Sequence, residues 1–128
     1  MNVSYDGKPL KNSSFGQRCT AAIVILLSLG NNPIIIDEPE AHLDSSLIAN
    51  YLVELIKEQK QQRQIIFATH NANFVLNGDA ELIIKLENTD GLTKSTSFAI
   101  EDIKYREDLL KLEGGREAFK KREQKYNI

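Results

Sequence analysis

The sequence predicts an α/β fold, with a mostly parallel sheet covered by helices, then a β-hairpin and a helical C-terminal tail. Three observations support this prediction. Short β-branched runs alternate with longer helical patterns, which is the order typical of parallel strands joined by helices. The dipeptide Asp90-Gly91 separates two extended segments and is a strong signal for a hairpin turn. From Glu101 onward the pattern is helical, with a break at Gly114-Gly115.

Length and composition limit the classes of protein. The chain has 128 residues, of which 27% are charged and 41% hydrophobic, as in ordinary globular proteins. We expect one domain over residues 1–128, with 101–128 as its helical tail. The net charge of −2 gives no general attraction to nucleic acids or acidic membranes. The longest apolar run, 21–27, is shorter than the roughly 20 residues of a membrane span, so we expect no membrane segment. The single cysteine, Cys19, excludes an internal disulfide and favours a cytoplasmic location.

Each element in the first half of the chain has its own signal. Residues 2–10 predict a short strand or a hairpin, broken at the turn dipeptide Asp6-Gly7. Residues 17–29 are apolar on nearly every side, which predicts a helix buried all round. The isoleucine run 34–36 predicts a central parallel strand covered on both faces. Residues 45–60 have apolar positions at helical spacing, which predicts an amphipathic helix lying on the sheet.

The second half begins with another buried strand. Residues 64–69 are predicted to form it, and 71–77 to form a short helix that stops at Gly78. The segments 81–87 and 93–100 are predicted to pair as the hairpin.

Two adjacent acids follow the isoleucine run and are the main chemical signal. In open α/β sheets, ligands bind at the carboxyl ends of the strands, which is where Asp37 and Glu38 are expected. Because neighbouring strand residues point to opposite sides, the two acids would have different tasks: one in the shell of a Mg²⁺ ion, the other on an attacking water. Pro39 ends the strand. The alternative is a strand that simply ends in solvated acids.

Two further segments offer polar groups at the ends of elements. His70 ends the next strand, where an imidazole can bond a phosphate oxygen or a water, although an ordinary loop histidine is the alternative. The segment with Ser14 and Gly16 lies where the first long helix begins. Free N–H groups and the helix dipole can bind an anion at such a helix start. The alternative is a plain serine N-cap. Asp44 has the same ambiguity before the second helix.

Together these residues resemble a known family. Residues 14–17, 34–39, 41–44 and 68–70 resemble, in order and spacing, the signature, Walker B, D-loop and H-switch motifs of ABC-type ATPases. The resemblance covers roughly residues 9–86. The loop sequence looks more like the SMC/RecF/RecN branch and related AAA-like ATPases of DNA repair and phage defence than like transporters. The signature differs from the transporter form, since Phe15 occupies the first of its two glycine positions.

The resemblance implies roles for residues on the nucleotide's own subunit. Asp37 would help to hold Mg²⁺ through its water shell, and Glu38 would polarise the hydrolytic water. His70 would contact the γ-phosphate of ATP.

It also implies roles across a dimer of heads. Ser14, Gly16 and Gln17 would reach the γ-phosphate of an ATP bound to the opposing subunit, and Asp44 would lie at the same interface. Hydrolysis would then need two heads closed over two ATP molecules.

One required motif is absent from the sequence. A P-loop needs Gly-x-x-x-x-Gly-Lys-Ser/Thr, and the only Gly-Lys pair, Gly7-Lys8, is followed by Pro9 and has no glycine at the required spacing before it. We therefore expect the chain to be the C-terminal half of an ATPase head, inactive alone and completed by a P-loop-bearing N-terminal half.

The sequence is also compatible with two other functional hypotheses. The chain could be a non-catalytic module that binds a partner or DNA. The charged segment 116–125 could contact DNA, although a helix with charges of both signs is usually a solvated face. The chain could also be a fragment of a transporter nucleotide-binding subunit, although its loop sequence favours this less.

Overall fold

The structure is a computed structural model that describes residues 4–5, 7–43 and 46–127. The α/β order, the hairpin and the helical tail follow the prediction. The strands are β1 (Ser4–Tyr5), β2 (Lys8–Pro9), β3 (Ile34–Asp37), β4 (Ile65–Ala68), β5 (Ile83–Thr89) and β6 (Leu92–Phe98). The α-helices are α1 (Phe15–Ser28), α2 (Ser46–Gln59), α3 (Arg106–Leu110) and α4 (Gly115–Tyr126). Shorter turns are 3₁₀-helical at Leu10–Asn12 and Ile103–Tyr105 and π-helical at Asn73–Asn77.

The chain divides into two compact units, Met1–Thr69 and His70–Ile128. The first contains β1 to β4 with α1 and α2, and the second contains the remaining elements. The single domain over residues 1–128 stays a prediction.

The first unit is built on a parallel pair of strands. β3 and β4 pair in register from Ile34 with Ile65 to Asp37 with Ala68. Their β-branched residues favour extended backbone, and α2 supplies the crossover that parallel strands require. This βαβ unit brings the carboxyl ends of β3 and β4 to the same edge, as the sequence predicts.

The expectation that β3 is covered on both faces is wrong for this chain. Ile35 is 77% exposed and its partner in β4, Ile66, is 48% exposed, whereas Ile34 and Ile36 are half-buried. The isoleucine run has the composition that is typical of a strand buried on both faces, but the described residues cover only one face of it. We call the side that carries Ile35 and Ile66 the open face.

The prediction that α1 is buried all round is also wrong. Its buried residues are Thr20, Ala21 and Leu27, while Leu26 is 58% exposed. The helix begins at Phe15 rather than at residue 17 and packs against α2. A helix that is apolar on all faces is buried only where other elements pack against each face. The described residues pack against one face of α1.

The prediction that the second helix is amphipathic is confirmed. α2 buries Leu52, Val53, Leu55 and Ile56 and exposes Leu47 at its start. Its first described residue is Ser46.

A long-range contact that the sequence did not indicate closes the end of α1. The guanidinium of Arg63 donates to the carbonyl oxygens of Leu26 (3.0 Å), Leu29 (3.0 Å) and Asn32 (2.6 Å). These include carbonyls that a helix end leaves without a helical partner. Arg63 therefore fixes the connection between α1 and β3.

The second unit has its own core and the predicted hairpin. β5 and β6 pair antiparallel from Ile83 with Phe98 to Thr89 with Leu92. Asp90 and Gly91 both have positive φ, as a two-residue hairpin turn requires. The core cluster contains Ala72, Val75, Leu76, Phe98, Leu109 and Ala118.

The helical tail has the predicted break. α3 ends at Leu110 and α4 begins at Gly115, with Gly114 in the left-handed region at φ +69°. Glycine adopts this conformation without a steric cost, which explains the break.

Candidate functional site

The candidate site centres on the carboxyl end of β3. Asp37 is the last residue of the strand and pairs in register with Ala68 of β4. Glu38 follows it, and its backbone N–H donates to the Ala68 carbonyl oxygen at 2.9 Å. Both acids are exposed. The two carboxylates therefore stand at the sheet edge where they are accessible to a ligand, as the sequence predicts.

The backbone of Glu38 is strained. Its φ is +44°, in the left-handed region that residues other than glycine rarely adopt. Such a conformation costs about 1–3 kcal/mol and persists only where surrounding contacts hold it. The Glu38 carbonyl accepts from the Ala41 N–H at 3.0 Å, and Pro39 between them is buried. The turn thus fixes the direction in which the Glu38 side chain leaves the backbone.

Glu40 is a residue of this turn that sequence reasoning missed. Its carboxylate Oε1 accepts a hydrogen bond from the Thr69 hydroxyl at 2.5 Å, and its own carbonyl accepts from the Leu43 N–H at 3.2 Å. The only signal in the sequence is the presence of a hydroxyl directly after β4. That signal becomes meaningful only once β3 and β4 are known to be neighbours in register.

Ser14 begins α1 as an N-cap. Its hydroxyl accepts from the Gln17 N–H at 3.2 Å, and the Gln17 side chain accepts from the Ser14 N–H at 3.0 Å. This reciprocal capping box stabilises the start of the helix and corresponds to the simpler of the two sequence readings. Gly16 lies in the first turn, and its carbonyl accepts from the Thr20 hydroxyl at 3.0 Å. Binding of an anion by Ser14, Gly16 and Gln17 stays a prediction.

An aromatic contact joins the signature segment to the loop after β3. The rings of Phe15 and His42 meet edge to face, with centroids 4.9 Å apart and planes at 80°. Phe15 is 61% exposed, so the contact is at the surface. It places the two segments that resemble the signature and D-loop motifs side by side in one chain. Asp44, the predicted D-loop residue, lies outside the described residues.

His70 belongs to the second unit and has a partner there. Its Nε2 lies 3.2 Å from a carboxylate oxygen of Glu113. The backbones of the same two residues are joined, since the Glu113 N–H donates to the His70 carbonyl at 3.0 Å. Both side chains are exposed, so the contact contributes little to stability by itself. Its effect is to orient the imidazole, and Glu113 is a second residue that sequence reasoning missed.

The residues fit a shared rather than a complete magnesium site. Within 4–5, 7–43 and 46–127, no three His, Cys, Asp or Glu side chains are grouped so as to hold a metal ion. Mg²⁺ is commonly held by one or two carboxylates together with phosphate oxygens and waters. The accessible carboxylate of Asp37 fits that requirement if a nucleotide supplies the phosphates.

Gly7-Lys8 does not form a phosphate-binding loop. Gly7 lies in the turn between β1 and β2, and Lys8 begins β2, whereas a P-loop leads from a strand into a helix. Among the described residues, no helix has the length and apolar character needed to cross a membrane.

Comparison with known proteins gives a family match. Residues 6–77 match the model of a family described as AAA domain, putative AbiEii toxin, Type IV TA system. The chain is 32% identical over 83 residues to a putative ABC transporter ATP-binding protein of Pyrococcus furiosus. That alignment covers 62% of this chain and 30% of the relative, so the chain spans about a third of the length of that protein.

Two solved structures of SMC proteins are similar in fold. One, from work on ATP-driven dimerization and DNA-stimulated activation of SMC ATPases, superposes with a TM-score of 0.63 at 25% identity. It aligns with 88% of this chain and 71% of its own length. The other, an SMC head bound to the C-terminal winged-helix domain of ScpA, has a TM-score of 0.63 at 26% identity and aligns with 73% of this chain and 29% of its own.

Proposed function

The chain belongs to the AAA domain family described as a putative AbiEii toxin of a type IV TA system, and we propose that it is the C-terminal half of an ABC/SMC-like ATPase head. In this proposal it binds and hydrolyses ATP with Mg²⁺ only when combined with a P-loop-bearing N-terminal half. Two such composite heads then close as a homodimer.

The observation that carries the proposal is the acid pair at the carboxyl end of β3. Asp37 would hold Mg²⁺ through its water shell, and the ion would neutralise developing charge on the phosphates. Glu38, whose direction is set by the turn, would polarise the attacking water. His70 would contact the γ-phosphate. Phosphoryl transfer depends mainly on positioning and charge stabilisation, so these few polar groups are sufficient for this side of the reaction.

The open face supports the need for a second half. Parallel sheets are usually covered on both sides, yet Ile35 and Ile66 are largely exposed in this chain. A P-loop is always preceded by a strand and followed by a helix. A segment of that kind could extend the β3–β4 sheet and pack an apolar helix on the open face.

The start of α1 supports action across a dimer. Ser14 and Gly16 lie at an exposed helix N-terminus, and the exposed Phe15 ring joins them to His42 of the next loop. This surface, with Gln17 in it, would meet the nucleotide of an opposing head, and we propose that Asp44 acts at the same interface. The structure from work on ATP-driven dimerization of SMC ATPases, to which the chain is similar, is in line with such closure.

We propose a biological setting in DNA repair or phage defence. The matched family's description names a type IV TA system, and one similar structure comes from work on DNA-stimulated SMC ATPases, both of which are in line with this proposal. In either setting we propose a cytoplasmic location, with DNA as a candidate partner.

A non-catalytic partner-binding module is the second candidate. The open face favours it, because an exposed apolar surface would also serve a partner that carries no P-loop.

ATP turnover with Mg²⁺ distinguishes the two candidates. We expect no turnover by this chain alone and clear turnover after mixing with the P-loop-bearing half of its parent. The Glu38→Gln variant should be inactive in the mixture, whereas Glu54→Gln, an exposed acid on α2, should be as active as the wild type. Association of the halves without turnover would favour the non-catalytic module, and turnover by the chain alone would refute the requirement for a second half.

A further inference from the structure

Glu40 joins the loop after β3 to the residue after β4. The Thr69 hydroxyl donates to the Glu40 carboxylate at 2.5 Å, and the pair is partly buried. The two residues are 29 positions apart in sequence, so the contact exists only because β3 and β4 are neighbours. Glu40 lies between two of the motif segments, and Thr69 lies within the segment 68–70 but has no role assigned by the resemblance.

The contact lies beside a backbone conformation that needs support. Glu38 has φ +44°, and its N–H donates to the carbonyl of Ala68, the residue directly before Thr69. The loop is therefore held to the end of β4 at two successive points, by the backbone of Glu38 and by the side chain of Glu40. Pro39, buried and fixed in φ, joins the two points rigidly.

We infer that Glu40 is a positioning residue for Glu38. Its carboxylate, held by the Thr69 hydroxyl, keeps the turn closed and so keeps the Glu38 carboxylate in one direction. The consequence for turnover rests on the proposed function, in which Glu38 polarises the attacking water. The structural part of the inference, a turn held by the Glu40–Thr69 hydrogen bond, is independent of that function.

The structural part is tested on this chain alone. Amide hydrogen exchange at Glu38 reports whether its N–H stays bonded to Ala68. Thr69→Val removes the hydroxyl with little change in shape and should raise the exchange rate about tenfold or more, whereas Thr69→Ser should restore protection. Thr93→Val, an exposed position on β6, is the matched control. An unchanged rate in Thr69→Val, with an unaltered circular dichroism spectrum, would overturn the inference.

The catalytic part is tested in the complex with the P-loop-bearing half. Glu40→Ala, which removes the acceptor of the Thr69 hydroxyl, and Thr69→Val, which removes the donor, should each lower kcat about tenfold or more, because small displacements of a reacting group have large effects on rate. KM for ATP should stay unchanged, and Thr69→Ser should recover most of the rate. The double variant should be no slower than the slower single variant, since both remove one contact. A raised KM with unchanged kcat, or fully additive losses, would contradict the positioning role.

The two parts separate failure of the inference from failure of the proposed function. If the wild-type complex shows no turnover, the proposed function is wrong, and exchange at Glu38 still decides whether Glu40 holds the turn. If the wild-type complex is active and the variants match it, the proposed function stands and the positioning role is refuted.

Discussion

The carboxyl end of the β3–β4 pair is held by hydrogen bonds within this chain, whereas the open face of the same pair lacks a covering layer among the described residues. At the end of the pair, Glu38 is bonded to the last residue of β4 and Glu40 to the residue that follows it, and each bond is made within the first unit. On the open face, Ile35 and Ile66 have apolar side chains that the described residues leave exposed. At the strand end the chain thus has a preformed turn that carries the acids we propose to be catalytic, whereas on the open face it leaves an apolar surface that we propose the second half covers.

Apart from Glu38→Gln, the largest effect is expected from Ser14→Arg, a variant that tests whether residues outside the end of β3 are needed for turnover. An arginine would place a long cation at the N-terminus of α1, where a neighbouring head's nucleotide is proposed to bind. We expect turnover of the reassembled head to fall by about 100-fold or more, a loss of the size seen when a transition-state contact is removed. ATP binding at the P-loop should be unchanged.

Steady-state hydrolysis together with fluorescent-nucleotide binding measures both quantities. Arg18→Glu, an exposed position on the same helix, is the control for general damage to α1. Turnover at the wild-type rate in Ser14→Arg would rule out a role across the dimer for this segment.

The next effect concerns the open face. Ile35→Glu places a charge where we propose that the P-loop-bearing half packs, and burying an unpaired charge is costly. We expect the affinity between the halves to fall at least about tenfold, while the chain folds normally because Ile35 is 77% exposed.

Calorimetric titration of one half into the other measures this affinity. Ile84→Glu is the matched control, since Ile84 is 58% exposed on β5 of the second unit. Equal affinities for the wild type and Ile35→Glu would show that something else covers the open face.

A smaller effect is expected on stability. Arg63→Ala removes the donor to the exposed carbonyls of Leu26, Leu29 and Asn32, and because water can replace the lost donor we expect a net cost of about 1 kcal/mol. Urea unfolding should report this loss, with Arg18→Ala as the control. If the free energy of unfolding changes no more in Arg63→Ala than in Arg18→Ala, Arg63 does not stabilise the connection between α1 and β3.

The smallest effect is expected in the second unit and depends on pH. Lys85 donates to Asp108 at 3.0 Å, and this hydrogen bond lowers the pKa of Asp108 below its ordinary value. A carboxylate with a lowered pKa stabilises the fold above its unfolded pKa, and that contribution is lost as pH falls through the folded pKa. Asp108→Asn should therefore lower Tm slightly at neutral pH and have no effect in strong acid. A Tm difference that grows on acidification would contradict this assignment.

The sequence predicted the parts of the molecule that local patterns determine. The isoleucine run, the Asp90-Gly91 turn and the Gly114 break each follow from the preferences of a few adjacent residues. Asp37 and Glu38 were placed correctly at the end of a strand, because a strand and a proline define that end.

What the sequence did not predict depends on distant residues. The contact of Glu40 with Thr69 and that of Phe15 with His42 require the register of elements that are far apart in the chain. The exposure of Ile35 depends on whether other residues cover the open face of the sheet. The run of isoleucines is compatible with a covered and with an uncovered face, so it cannot predict which one occurs. A hydrophobic pattern predicts that a surface is stabilised by burial, whereas only the structure shows whether the described residues of this chain bury it.

The central claim is that Glu38 activates water in a head completed by a second half. The most direct measurement follows Glu38→Gln in the reassembled head, recording ATP turnover and, by light scattering, the mass of the ATP-bound species. We predict that turnover is lost while ATP is still bound and the closed dimer accumulates. Loss of nucleotide binding and of dimer formation would contradict the claim, because Glu38 would then be a binding ligand rather than the group that polarises the water.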